Sequence, residues 1–275
     1  MATKKIRLDH LLVEQQFAPT REKAQALIMC GLILVNDKKI DKSGQLVPED
    51  ALIRILGNAS PYVSRGGEKL EGAHQAFQFS IAGKTALDVG LSTGGFSDFL
   101  LQNQVEYLFG VDVGYGQTDL KVRNNPKLAI LERSNARELT KDMLRGAAEK
   151  SLVPPEQVDQ ISLVVMDVSF ISVTKVLPTI QTLTQPDTDY IVLIKPQFEA
   201  EKSQIGKGGI VKDADTQKEI LDKVAEKLSS QFLLMQSCYS PIKGTKGNQE
   251  YFFWLKNKPV ALSSCFIKKA LSPDE

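Results

Sequence analysis

Cysteine, histidine and tryptophan are scarce in this 275-residue chain, with three, two and one. Cys30, Cys238 and Cys265 lie far apart and none pair at CxxC spacing, which argues against a disulfide framework or a cysteine zinc site. His10 and His74 share no HExxH or HxH spacing, so no metal is expected. Long apolar runs are missing as well. The longest, Ala26 to Val35, is broken by Gly31 and falls far short of the ~20 residues that span a bilayer. The first ten residues carry charge without an apolar stretch, so no secretory signal and no membrane partner are expected, and the expected location is cytoplasmic. Net charge is almost absent: 34 basic against 33 acidic side chains leave +1, so any nucleic-acid surface must be local. What is present is an ordinary 42% of hydrophobic residues, which excludes a disordered or collagen-like chain. The length suits one large domain, or a large one with a small partner.

Residues 1–56 read as that small partner. Leu8, Leu11, Leu12 and Val13 repeat at helical spacing, and Pro19 closes the helix. Thr20 is a good N-cap for a second helix, Arg21 to Cys30, ended by Gly31. Leu32–Val35, a turn at Asn36-Asp37 and Lys38–Ile40 form a hairpin pattern, and Leu46–Leu56 adds strand interrupted by Pro48. Residues 1–57 hold nine basic and seven acidic side chains, a net of only +2. Arg7, Arg21, Lys23, Lys38, Lys39 and Lys42 are the candidates for one basic, RNA-facing surface, although a solvated polar face explains them equally well. Residues 57–64 are rich in turn formers and read as a linker to a second domain over 65–275. There, strand patterns alternate with helical ones, the mark of an open α/β sheet. The strand candidates are 85–89, 107–111, 128–131, 161–166, 190–194, 232–236 and 251–255, with a helix over 212–229.

The first of these strands contains Asp88 and runs into Gly90-Leu-Ser-Thr-Gly94-Gly95 and then a helix. Such a turn lets a ligand approach the backbone at the carboxyl end of the strand. Its spacing is GxxxGG, neither GxGxxG nor a Walker loop, which favours a nucleoside ligand without pyrophosphate. Asp112 ends the second strand, 22 residues after Gly90, where a carboxylate accepts both ribose hydroxyls. Together these features suit S-adenosylmethionine (SAM), with Asp88, Gly90, Ser92, Thr93, Gly94, Gly95 and Asp112 as the expected contacts. Asn135, after the third strand, is a further candidate for the adenine edge. Later strands end in Asp167 and in Lys195-Pro196, and Glu250 opens the last one. A lysine at the end of a buried strand is costly unless paired or functional. Lys69, just past the linker, is a possible fourth member. A salt-bridge network along the sheet edge is the plain alternative. Phe96, Phe170, Phe198 and Trp254 read mostly as core, with Phe198 also placed to stack on a base. The glycine-rich segment 201–211 reads as a mobile lid.

The ordered segments RLDHLL, SRGGEKL, DVGLSTGGFSDFLLQ, GVDVGYGQ, ERSNAR, MDVSFIS, LIKPQFE, GKGGIV and SPIKGTKGNQE resemble the TlyA family across nearly the whole chain. That resemblance implies an S4-like α+β RNA-binding domain joined to an FtsJ-like, Rossmann-like α/β methyltransferase domain. It also implies SAM-dependent 2′-O-methylation of a cytidine in 23S rRNA, and in some members of 16S rRNA, with rRNA or ribosomal subunits as partner. The family's Lys-Asp-Lys-Glu tetrad falls on Lys69, Asp167, Lys195 and Glu250. Leu91 departs from the small residue usual at its loop position and is expected to crowd the cofactor. The family's haemolysin label finds no physical support in the sequence.

A ribose hydroxyl is a very weak acid, so its proton must be taken as the methyl group transfers. An amine does this only in its neutral form, which burial and a neighbouring ammonium favour. Lys195 is assigned as the base, Lys69 as the neighbouring cation, and Asp167 and Glu250 as the groups that orient them. Two alternatives stay open. Asp167-Val-Ser-Phe170 resembles the Asp-Pro-Pro-Phe loop of amino-group methyltransferases without its prolines, and a non-catalytic RNA- or ribosome-binding factor is the other. Arg7-Leu8-Asp9 also resembles the RLD of pseudouridine synthases, but it sits in the first helix of the N-terminal module.

Overall fold

The structure is a computed structural model that describes residues 5–56, 60–206, 208–244 and 246–258. Cys265, residues 57–59 of the expected linker and Lys207 of the expected lid lie outside them. The chain divides between Pro61 and Tyr62 into two compact units.

The first unit contains β1 (Lys5–Arg7), α1 (Leu8–Glu14), α2 (Arg21–Met29), β2 (Ile33–Val35), β3 (Lys38–Lys39), β4 (Leu46–Pro48) and β5 (Ile53–Ile55). The Thr20 hydroxyl accepts from the Lys23 amide at 3.3 Å and starts α2. Gly31, at φ +67°, ends it in the left-handed region that glycine tolerates. Asn36 and Asp37 both take positive φ, the twist a two-residue hairpin turn needs between β2 and β3. Lys5–Arg7 differ from the sequence expectation, pairing antiparallel with β4 and setting Pro48 opposite Lys5. Three residues are too few to show a period-2 pattern. The core joins Leu8, Leu11 and Leu12 to Ala24, Ile28, Ile33, Val47 and Ile53.

The second unit opens with α3 (Arg65–Phe77), β6 (Thr85–Val89), α4 (Gly95–Gln102), β7 (Tyr107–Val111), α5 (Leu120–Arg123), β8 (Leu128–Leu131) and α6 (Lys141–Ala148). It continues with β9 (Ile161–Met166), α7 (Leu177–Gln181), β10 (Asp189–Ile194), α8 (Pro196–Glu199), α9 (Ala214–Leu228), β11 (Phe232–Tyr239) and β12 (Tyr251–Asn257). One seven-stranded sheet has the order β11-β12-β10-β9-β6-β7-β8. β6 to β10 run parallel, and β12 lies antiparallel to both β10 and β11. Strand alternation feeds two apolar layers: Leu163 and Val165 join Ala86 and Leu108 on one face, while Val164 and Met166 join Leu87 and Phe109 on the other. Both faces are covered, which is why β9 and β10 read as continuous apolar runs. The fold is α/β and Rossmann-like. Its strand order reverses at β6, so a crevice opens at the carboxyl ends of β6 and β9.

Candidate active site

The glycine loop after β6 does two jobs. Gly90 sits at φ +92°, and a Cβ there would strike the carbonyl oxygen of Asp167, so the loop passes directly over the end of β9. Gly95 serves packing instead. A Cβ on it would come within 2.9 Å of the Gly67 amide nitrogen and 3.0 Å of the Gly66 Cα. The paired glycines of SRGG and STGG thus face one another and let α3, which carries Lys69, cross close to α4. Leu91 corrects a sequence expectation. It is buried, with its methyl groups over Gly110 of β7, where a Cβ would come within 2.8 Å of them. Leu91 turns into the sheet and does not line the cleft, because Gly110 makes room for it.

That cleft has a volume of about 400 Å³. Gly90, Ser92, Asp112, Asn135 and Asp167 line it, and Asp88, Thr93, Gly94 and Gly95 do not. Asp112 Oδ2 accepts from the Ser92 amide at 2.7 Å, and Oδ1 from the Gly114 amide at 2.6 Å. Each oxygen keeps a lone pair, enough for a vicinal diol. Val111, Val113, Ile171 and Val176 provide apolar walls, so a flat heterocycle and a ribose both find matching surfaces. Asn135 Oδ1 accepts from the Arg137 amide at 3.1 Å. Asp88 lies behind the cleft. Its Oδ2 accepts from the Ser97 hydroxyl at 2.6 Å, while Oδ1 is buried with no partner among the described residues. Burial, aided by the charges of Asp167 and Asp112, pushes the Asp88 carboxyl up to about 7.

The sheet brings the four expected catalytic candidates to one end. Lys195 follows β10, Asp167 follows β9, and Glu250 precedes β12, whose first residue Tyr251 pairs with Ile194. Lys195 Nζ lies 2.5 Å from Asp167 Oδ1 as an ion pair and donates to the Ser169 hydroxyl at 2.8 Å. Lys69 Nζ lies 2.6 Å from Glu250 Oε2. The lysine side chains are 10% and 11% exposed, so both pairs are largely desolvated. Ser169 escaped sequence reasoning because nothing local marks a serine three residues past a strand. Phe170 corrects another expectation. Far from being core, it is 91% exposed at φ +64°, its ring 5.0 Å from that of Phe198. Phe96, in contrast, is buried between layers as expected.

The foot of the expected lid is fixed. Asn248, buried two residues before Glu250, accepts from the Val211 amide and donates to the Gly209 carbonyl, both at 3.0 Å. In the first unit, Arg7 and Arg21 converge on the buried Asp9, and each side chain remains nearly half exposed. Lys38 and Lys39 are exposed on β3, and Lys42 is exposed beyond it.

Residues 62–257 match the family described as FtsJ-like methyltransferase, and residues 6–53 match the S4 domain. A Bacillus subtilis protein, YqxC, named provisionally as an rRNA methyltransferase, is 39% identical over 93% of this chain and 87% of its own length. The 16S/23S rRNA (cytidine-2′-O)-methyltransferase TlyA of Mycobacterium tuberculosis is 36% identical over 93% of this chain and 91% of its own. A solved structure named provisionally as a hemolysin of Streptococcus thermophilus superimposes with a TM-score of 0.69 at 33% identity, covering 93% of this chain and 90% of that one. No described helix is long and apolar enough to cross a membrane. Domain matches, near full-length relatives and sheet order agree: the chain belongs to the FtsJ-like methyltransferase family, in its S4-bearing TlyA branch.

Proposed function

We propose that this chain is a SAM-dependent rRNA 2′-O-methyltransferase of the cytoplasm. Its acceptor is a cytidine ribose in 23S rRNA, with 16S rRNA as the second target to test, in free rRNA or in a ribosomal subunit. The name of the Mycobacterium relative supports the substrate class. The observation that carries the chemistry is Lys195, an amine held between Asp167 Oδ1 and Ser169 Oγ, two residues that line a nucleoside-sized cleft.

When bound, the cofactor supplies an electrophilic methyl group on a sulfonium. Gly90 leaves backbone space for it, Asp112 takes its ribose hydroxyls, and Asn135 meets its adenine edge. Asp88, Thr93, Gly94 and Gly95 act one layer out, by shaping the loop. Lys195 removes the proton of the acceptor hydroxyl, with Asp167 and Ser169 fixing the direction of its nitrogen. The Lys69–Glu250 pair adds a second cation beside it. Bringing hydroxyl, methyl group and amine into line supplies much of the rest of the acceleration. In the first unit, Arg7, Arg21, Lys23, Lys38, Lys39 and Lys42 contact the RNA backbone, and residues 57–64 join that unit to the methyltransferase domain.

The test replaces the target nucleotide by its 2′-deoxy counterpart in an otherwise unmodified RNA. Bases and phosphates are unchanged, so binding stays close to normal. Methyl incorporation, read by nuclease digestion and mass analysis, is expected to vanish. Incorporation into the deoxy target would sink the ribose assignment and point to an amino-group acceptor. No incorporation into unmodified rRNA would leave a binding factor.

A further inference from the structure

A second cleft, about 570 Å³ in volume, adjoins the first and shares Asn135, Ser169 and Phe170 with it. Two cations line it, Arg137 and Lys175, together with the Ser172 hydroxyl. Among the described residues, no carboxylate is on its wall. Neither cation makes a side-chain hydrogen bond or an ion pair among the described residues, unlike Lys69, Lys84, Lys121, Arg123, Arg145 and Lys195 in the same unit. Glu199 stands behind the wall, where the Lys175 charge acts on it without an ion pair. It accepts from the Ser172 hydroxyl at 2.5 Å and from the Val173 amide at 2.8 Å, and so fixes the segment that carries Lys175. Thr179 donates to the Arg137 carbonyl at 3.0 Å, which ties the 3₁₀ turn of Arg137 to α7 just beyond Lys175.

We propose that this second cleft seats a phosphodiester of the acceptor RNA strand, held by Arg137 and Lys175. The proposal rests on the ribose-methylation reading and specifies how the acceptor is placed. On a ribonucleotide, the 2′-hydroxyl and the 3′-phosphate occupy neighbouring ring carbons. A grip on that phosphate therefore leaves few rotations between the anchored anion and the reacting oxygen. Ser169 belongs to the cleft and accepts from Lys195, so a strand seated there brings its ribose to the amine. Two cations outside any ion pair recognise the phosphate and carry no base information, which leaves sequence selection to other contacts.

The experiment measures binding of the full-length protein to unmodified rRNA across a salt series, separately from methyl transfer. Arg137→Ala and Lys175→Ala are compared with wild type and with the charge-keeping Arg137→Lys and Lys175→Arg. Each alanine variant is expected to weaken RNA binding about tenfold and to flatten the log–log salt slope by about one. The charge-keeping variants should recover the slope, and SAM affinity should stay at the wild-type value in all four. Alanine variants with wild-type slopes and affinities would overturn the phosphate seat, whatever the transfer assay shows. A wild type that binds with the expected slope differences but methylates no ribose would instead remove the proposed function and keep the seat.

Discussion

Asp9 in the first unit and Lys195 in the second are both buried charges facing opposite charges, and they are built in opposite ways. The Asp9 carboxylate is fully buried and accepts five hydrogen bonds, two from Arg7 and one each from Arg21, Gln25 and the His10 amide. Those partners, Arg7 foremost, hold its carboxyl well below the usual range. Nothing is left over for a ligand. Lys195 has two polar partners, Asp167 and Ser169, for three potential donors, with the Phe198 ring centroid 5.8 Å away, and Asp167 Oδ1 pairs with it without an aligned hydrogen bond. Both of those polar partners line the cleft. A saturated buried charge staples a fold, whereas an unsaturated one beside a cavity is free to do chemistry.

The sharpest way to break this contrast is to delete each charge. Lys195→Ala is expected to lower single-turnover methyl transfer by roughly 10²–10⁴ while SAM binding and thermal unfolding stay near wild type. Wild-type transfer rates in that variant would remove the base assignment. Asp112→Ala should weaken SAM binding by about 1.5–3 kcal/mol in a titration, and it also frees the Ser92 and Gly114 amides. Unchanged affinity would move the ribose site elsewhere. Asp9→Ala should cost about 2 kcal/mol, because the half-exposed arginines left behind are rescued by water. Hydrogen exchange in α1 and α2 would quicken, with amides of β6 and β9 unaffected. Since its carboxyl is depressed, Asp9 stabilises the fold above the unfolded carboxylate pKa, and that contribution is lost as pH falls through the folded value.

Asp88 has the opposite sign, and its effect is read as a slope against pH. Its raised carboxyl holds a proton in the folded state that the unfolded chain has released, so stability should decline as pH rises from about 4 towards 7. The slope from one group cannot exceed about 1.4 kcal/mol per pH unit. Denaturant titrations of Asp88→Asn at several pH values should show that slope flattened relative to wild type. An identical slope in both proteins would place the titration on another group.

Much of this was legible beforehand. All seven strands of the large sheet are expected from apolar runs, which central strands such as β9 and β10 show most fully because both of their faces are buried. Thr20, Gly31 and Asn36-Asp37 announced a helix start, a helix stop and a turn through local chemistry alone. Phe170 misled because hydrophobicity is a statement about transfer from water, and nothing in DVSFIS says that the chain turns to positive φ there. Gly95 and Leu91 misled for a related reason, because the partners that explain them, Gly67 and Gly110, are distant in sequence.

The division is physical. The sequence by itself determined the strands of the large sheet, the start and stop of α2 and the residue types at the strand termini, because each follows from periodicity or from short-range backbone preferences. Only the tertiary structure decided which charges meet. Lys69 reaches Glu250 across 181 positions because paired glycines let α3 approach α4 and because β12 runs back along β10. Arg137 and Lys175 share one wall through the same long-range folding, and no local rule records it. Ion pairing and cavity formation depend on distances in space, which a linear pattern carries only after the sheet has set its order.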